Sequence, residues 1–164
     1  MDLDNKAIGE YPIEFTGKHT FIADPSEKPE DVIDRFPDID STGKTVVVTD
    51  PYLFQLQDEA YKHNVIKALK KVKASKIIYC HNNNPNRKMW QDVQTALNGC
   101  TLEYKKLDLY HDRHWFCVET KKGFYTGSSL SGIGKKYCTV DLLSEQTGND
   151  FYKILTGQGV IEVE

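Results

Sequence analysis

The sequence has no apolar run near the roughly 18 residues needed to cross a bilayer and no basic, apolar leader at its N-terminus. Both absences predict a cytoplasmic protein. Its four cysteines, Cys80, Cys100, Cys117 and Cys138, are widely spaced and form no CxxC pair. That spacing excludes a zinc ribbon and a compact disulfide framework, so reduced, mostly buried thiols are expected and no metal or other cofactor is called for. Positive charge is not in excess: 21 Lys and Arg stand against 24 Asp and Glu, for a net charge of -3. A protein that coats nucleic acid through clustered basic side chains is therefore disfavoured. No internal repeat is visible, so the chain carries one copy of any site it has.

What is present is one domain's worth of sequence, 164 residues, long enough to bury a core without covalent staples. Such a size also suits a module of a larger protein. The charge is unevenly spread. Residues 1–44 hold 11 acids and 5 bases, leaving 13 acids and 16 bases for residues 45–164. The first stretch, punctuated by Pro12, Pro25, Pro29 and Pro37, reads as an acidic arm or edge layer with a strand over His19–Ala23 and a short helix over Pro29–Phe36. The mildly basic remainder can accept a phosphate-bearing ligand.

From Thr45 onward the patterning alternates. A β-branched strand over Thr45–Thr49 is followed by helical spacing over Gln55–Ala74, with Leu56, Ala60, Val65, Ile66, Leu69 and Val72 on one side and lysines on the other. A second strand is expected over Lys76–Cys80, a helix over Asn86–Leu97 ended by Asn98-Gly99, and a third strand over Leu102–Leu109. Trp115–Glu119 and Gly123–Thr126 read as a hairpin, Cys138–Leu143 as a further strand and Phe151–Leu155 as a closing helix. The class is α/β, with helices flanking a mixed, mostly parallel central sheet.

Chemistry concentrates between His111 and Lys136. His111 and Arg113, two apart at the mouth of a strand, are expected to point the same way. After the hairpin comes Gly127-Ser128-Ser129-Leu130-Ser131-Gly132-Ile133-Gly134-Lys135-Lys136, a turn whose N–H groups, hydroxyls and charge can be aimed at an anion. The hairpin is expected to return Ser129 to the neighbourhood of His111. An imidazole can attack phosphorus, and a guanidinium can hold two phosphate oxygens. Asp50, at the end of the first core strand, could sit near the site, though before Pro51 it reads mainly as a turn former, and Trp90, Trp115 and Tyr125 read as core rather than stacking platforms.

His111-Asp112-Arg113, then Glu119, then Gly127-Ser128-Ser129-Leu130-Ser131 resemble the signature of the phospholipase D superfamily. That signature is a His, a Lys two residues later, an acidic residue five further on, and a Gly-Ser or Gly-Thr turn carrying an Asn. The resemblance covers about 120 residues, from Thr45, and implies one half of that fold, one half-site per chain. Three positions depart from it: Arg113 replaces the Lys, Val118 holds the acidic position with Glu119 one place late, and Ser131 sits near where the Asn belongs.

The resemblance implies a metal-independent phosphodiesterase, a nuclease working through a covalent phosphohistidine at His111. Arg113 would hold the phosphate and Glu119 would orient His111, with Asp141 and Glu145 as competing carboxylates. Gly127, Ser128, Ser129, Ser131 and Lys135 would bind substrate. Because the family uses two histidines and this chain shows one motif, the resemblance implies a homodimer acting on nucleic acid or another phosphodiester. The competing expectation is an inactive module of the same fold, binding phosphorylated ligands, phosphoinositides of a membrane, or a protein partner.

Overall fold

The computed structural model describes residues 20–55, 58–108 and 110–163. Residues 1–19 of the acidic arm, including His19 of the first expected strand, and also Leu56 and Leu109, lie outside the described residues. In chain order the elements are β1 (Phe21–Ala23), α1 (Pro29–Asp34), β2 (Thr45–Val48), α2 (Glu59–Lys71), β3 (Lys76–Cys80), α3 (Arg87–Ala96) and β4 (Thr101–Lys105). They continue with β5 (His114–Cys117), β6 (Gly123–Thr126), a single 3-10 turn (Leu130–Gly132), β7 (Cys138–Leu142) and α4 (Glu145–Gly157).

Local chemistry sets the helix starts. The Asp58 carboxylate accepts from the Tyr61 N–H at 3.0 Å and the Asn86 side chain from the Met89 N–H at 3.0 Å, capping α2 and α3. Ser144 caps α4 by accepting from the Thr147 N–H at 3.1 Å. That cap starts the last helix at Glu145, well before the expected Phe151. The apolar positions Phe151 and Leu155 mark only its buried stripe.

The seven strands form one sheet in the order β1-β7-β6-β5-β2-β3-β4. It is mixed, but it is not mostly parallel. Only β2–β3 and β3–β4 pair in parallel, through the crossover helices α2 and α3, whereas the other four pairings are antiparallel. β5 enters antiparallel to β2, and the β5–β6–β7 meander then reverses direction at each step. Residues 21–23 add the edge strand, pairing Phe21 with Val140.

Alternation divides the sheet into two faces. Val46, Val48, Ile77, Tyr79, Trp115, Phe124 and Val140 join the larger core under α1, α2 and α3. Val47, Ile78, Cys80 and Phe116 meet Phe151 and Leu155 of α4 on the other side. Two faces covered by helices explain why β2 and β3 are unbroken apolar runs.

Candidate functional site

On the larger core face, Val48 pairs with Tyr79 of β3 and with Trp115 of β5, and Trp115 pairs with Phe124 of β6. Two residues further toward the C-terminal end of β2, the same register puts Asp50 beside His81 on one side and Arg113 on the other, and Arg113 beside Thr126. The backbone confirms the continuation: Thr49 N–H donates to the His114 carbonyl at 3.0 Å and Thr126 N–H to the Arg113 carbonyl at 3.1 Å. With period-two alternation, the apolar row Tyr79, Val48, Trp115 and Phe124 is succeeded by a polar row, His81, Asp50, Arg113 and Thr126. This row sits where the parallel strands end, the place ligands favour in α/β sheets.

Asp50 is fully buried. Its carboxylate accepts from the Ser129 hydroxyl at 2.6 Å, the Leu130 N–H at 2.8 Å and the Tyr52 N–H at 3.0 Å. Burial pushes the carboxyl above its ordinary value, against the pull of these donors and of the nearby Arg113 charge. The Tyr52 bond is the turn role expected of Asp50; the other two are a long-range role the sequence does not announce.

Those bonds correct the reading of the glycine–serine turn. Ser129 and the backbone behind it serve an internal carboxylate instead of waiting for an external anion. Gly127 N–H donates to the Thr139 carbonyl at 2.7 Å, and the Ser128 hydroxyl donates to the Ser129 carbonyl at 3.1 Å. The turn is a clamp across the end of the sheet. Ser131 is half-buried in the 3-10 turn and Lys135 is exposed.

Arg113 has a different status. Its Nε is buried and has no hydrogen-bond partner among the described residues, and the hydroxyl of Thr126, its neighbour on β6, is likewise buried and unpartnered. Both residues line a cleft of about 560 Å³ whose walls also include Tyr110, Asp112, His114, Tyr125, Gly127, Asp141 and Thr147. His111 and Ser129 are not among its walls.

His111 is exposed and lies two residues beyond Arg113, whose carbonyl makes the outermost β5–β6 bond of the described residues. Strand alternation therefore does not fix its direction. Its charge does reach His81, a buried imidazole at the end of β3. Burial holds His81 below the ordinary histidine value, with His111 adding to that effect and Asp50 and Asn82 opposing it. Asn83 N–H donates to His81 Nδ1 at 3.3 Å, which leaves the proton of the neutral ring on Nε2.

Glu119 is misplaced for the role expected of it. Its two oxygens accept from the Thr45 N–H at 3.1 and 2.8 Å, at the start of β2 and so at the opposite end of the sheet from His111. A strand rising about 3.3 Å per residue carries it away from the site. Of the competing carboxylates, Glu145 opens α4 and is exposed, while Asp141 lines the cleft and accepts from Thr20. His114 is a packing residue: its Nδ1 lies 2.6 Å from the Tyr110 hydroxyl, its ring packs edge-on against Phe151 at 5.0 Å, and burial lowers its pKa to about 4.

Among the described residues no cluster of three His, Cys, Asp or Glu side chains is arranged to hold a metal, and no helix is long and apolar enough to cross a membrane. The residues missed in the sequence are His81 and Thr126, while Asp50 was weighed there and given mainly a turn role. Asp50 and His81 each lie just past an apolar strand, which was the available signal.

No family model and no curated protein matches the chain. Among solved structures it is similar to a polyphosphate kinase from Porphyromonas gingivalis, with a TM-score of 0.51 and 10% identity over 97% of this chain and 26% of the kinase. It is also similar to TrmBL2, an archaeal chromatin protein with a novel mode of DNA binding, with a TM-score of 0.46 and 15% identity over 96% of this chain and 58% of the other. The chain spans only part of either protein, and at these identities what it shares with the kinase is an α/β fold.

Proposed function

We propose that this domain is a metal-independent phosphodiesterase of the phospholipase D-like kind, acting on nucleic acid, in which Arg113 holds the phosphate and His111 attacks phosphorus. The observation that carries this reading is the unpartnered Nε of Arg113 beside the unpartnered hydroxyl of Thr126. A buried donor left unmade costs about 1–3 kcal/mol, and a phosphate oxygen satisfies both groups at once. His111 is exposed and precedes Arg113 by two residues at the mouth of β5. Lys135 and Lys136, both exposed in the turn, can meet flanking phosphates. The mixed sheet and the overlap with part of a polyphosphate kinase are compatible with the phospholipase D-like fold.

The competing module, which binds phosphodiesters without cleaving them, is favoured by one observation: Asp50 consumes the Ser129 hydroxyl and the Leu130 N–H that would otherwise complete the cradle. Cleavage of short DNA and RNA in EDTA separates the two. Turnover abolished by His111→Ala supports the enzyme. Binding that depends on Arg113 without turnover supports the module, and absence of both overturns the assignment of the site.

A further inference from the structure

β4 lies at one edge of the sheet. Thr101 N–H donates to the Ser75 carbonyl at 2.9 Å and Leu107 N–H to the His81 carbonyl at 3.3 Å, so the odd-numbered residues of this stretch face β3. By alternation the N–H and carbonyl groups of Leu102, Tyr104 and Lys106 face away from the sheet. Among the described residues these groups have no backbone partner. Such an edge is a template for another strand, and proteins commonly guard it with a proline, a covering segment or charge. β4 holds no proline, and its charges are of both signs: Glu103 and Lys105 lie two residues apart and so on one face.

The other face of the edge borders a cleft of about 450 Å³ whose walls include Pro85, Arg87, Trp90, Leu102 and Tyr104. Trp90 and Tyr104 are only partly buried. A strand added to β4 therefore has open backbone groups to bond and room for its side chains on the α3 side.

We propose that β4 is a self-pairing edge, through which two copies of this chain join antiparallel about a two-fold axis at Tyr104 to make one continuous sheet. The charges select both the occupant and the register. Pairing about residue 103 would set Glu103 against the partner's Glu103, and pairing about residue 105 would set Lys105 against the partner's Lys105, and either opposes like charges. Pairing about Tyr104 sets Glu103 opposite the partner's Lys105 and, by symmetry, Lys105 opposite the partner's Glu103. In that register Tyr104 exchanges both backbone bonds with its own copy, and Leu102 does so with the partner's Lys106. The open groups are then all used. Glu103 and Lys105 fall at the positions between those bonds, where opposite side chains stand closest. On the cleft side, the partner's Lys106 comes opposite Leu102, and its aliphatic stem can lie along Trp90.

Neither charge is locked within its own chain. Glu103 meets Lys76 at 3.3 Å with both side chains more than a third exposed, a contact worth little in water. Lys105 donates to the Val160 carbonyl at 2.9 Å, an uncharged partner.

The pairing keeps the two Arg113 sites apart. Arg113 leads into β5, three strand steps from β4, so seven steps separate the two copies, three in each chain and one between. At about 4.8 Å a step that is about 34 Å. The proposal is thus independent of the phosphodiesterase reading.

The test reverses the charges one at a time. Wild-type protein should sediment as a dimer at micromolar concentration. Glu103→Lys and Lys105→Glu each oppose like charges across the pairing and should raise the dimer dissociation constant about tenfold or more. Mixed together, the two variants should form a heterodimer of wild-type strength, seen by native mass spectrometry, because every pair is then complementary. A chain carrying both substitutions should again dimerise with itself. Rescue of this kind is not expected if either side chain only supports its own fold. Amide hydrogen exchange on the wild type needs no variant: Leu102, Tyr104 and Lys106 should slow as protein concentration rises, while Thr101, already bonded to Ser75, should not change. Should the single variants fail to fold, that measurement decides alone. A monomer at millimolar concentration, an undiminished dimer in either single variant, no rescue on mixing, or β4 amides indifferent to concentration would each overturn the proposal.

Discussion

The Ser129 hydroxyl donates to the buried carboxylate of Asp50 at 2.6 Å, tying the turn after β6 to the end of β2 across 79 residues of sequence. Asp50→Ala strands three donors at once, those of Ser129, Leu130 and Tyr52, whereas Ser129→Ala removes one donor and leaves the carboxylate two. Unfolding in urea is expected to show a loss of about 3 kcal/mol or more for Asp50→Ala and about 1 kcal/mol for Ser129→Ala. Equal costs would mean that the clamp is not centred on Asp50.

Thr126 should separate stability from binding. Its hydroxyl is buried with no partner among the described residues, so Thr126→Val exchanges an unsatisfied polar group for a methyl of the same shape. The free protein is expected to be unchanged or up to about 1 kcal/mol more stable, while affinity for a dinucleoside monophosphate, read by calorimetry, falls several-fold. A stability loss would show that the hydroxyl is satisfied within the protein.

Acid should unfold the domain partly through His114. Its folded pKa of about 4 lies below the ordinary 6.5, so on acidification the unfolded chain takes up the proton first. The stabilisation is complete above pH 6.5 and is lost as pH falls toward 4. At about 1.4 kcal/mol for each pH unit between the folded and unfolded values, the loss reaches up to about 3 kcal/mol. Urea midpoints across that window should slope downward with acid in the wild type and be flatter in His114→Phe, which keeps the contact with Phe151.

Glu119→Gln should leave the site alone. Its carboxylate serves the Thr45 N–H at the far end of the sheet, so the substitution is expected to cost about 0.5–1 kcal/mol of stability. Phosphodiester binding and any turnover should stay within two-fold of wild type. A larger fall in turnover at unchanged stability would restore Glu119 to the site.

Much of the fold was legible because its signals are local. The β-branched run at Thr45–Val48 and the apolar run at Lys76–Cys80 sit where periodicity places them, and Asp58 and Asn86 are cap residues by type. Strand direction was less legible: β5 reverses against β2 and the meander follows it, which periodicity does not encode. In the site, Arg113 was visible from its sequence neighbours, but the polar row was not. It depends on registers between strands as far apart in sequence as Asp50 and Thr126, and nothing near either residue reports the other. Serine in a glycine turn has the same composition whether it faces a phosphate or a buried aspartate, which is why Ser129 read as a ligand-binding residue.

A phosphodiester bound at Arg113 is reported most directly by the Arg113 Nε–H resonance. In a ¹⁵N-edited NMR titration with a dinucleoside monophosphate, in EDTA, that resonance should move saturably as its unpartnered hydrogen acquires a phosphate oxygen, and added salt should weaken the binding. A resonance that stays in place at millimolar ligand, with the protein folded, would contradict the account.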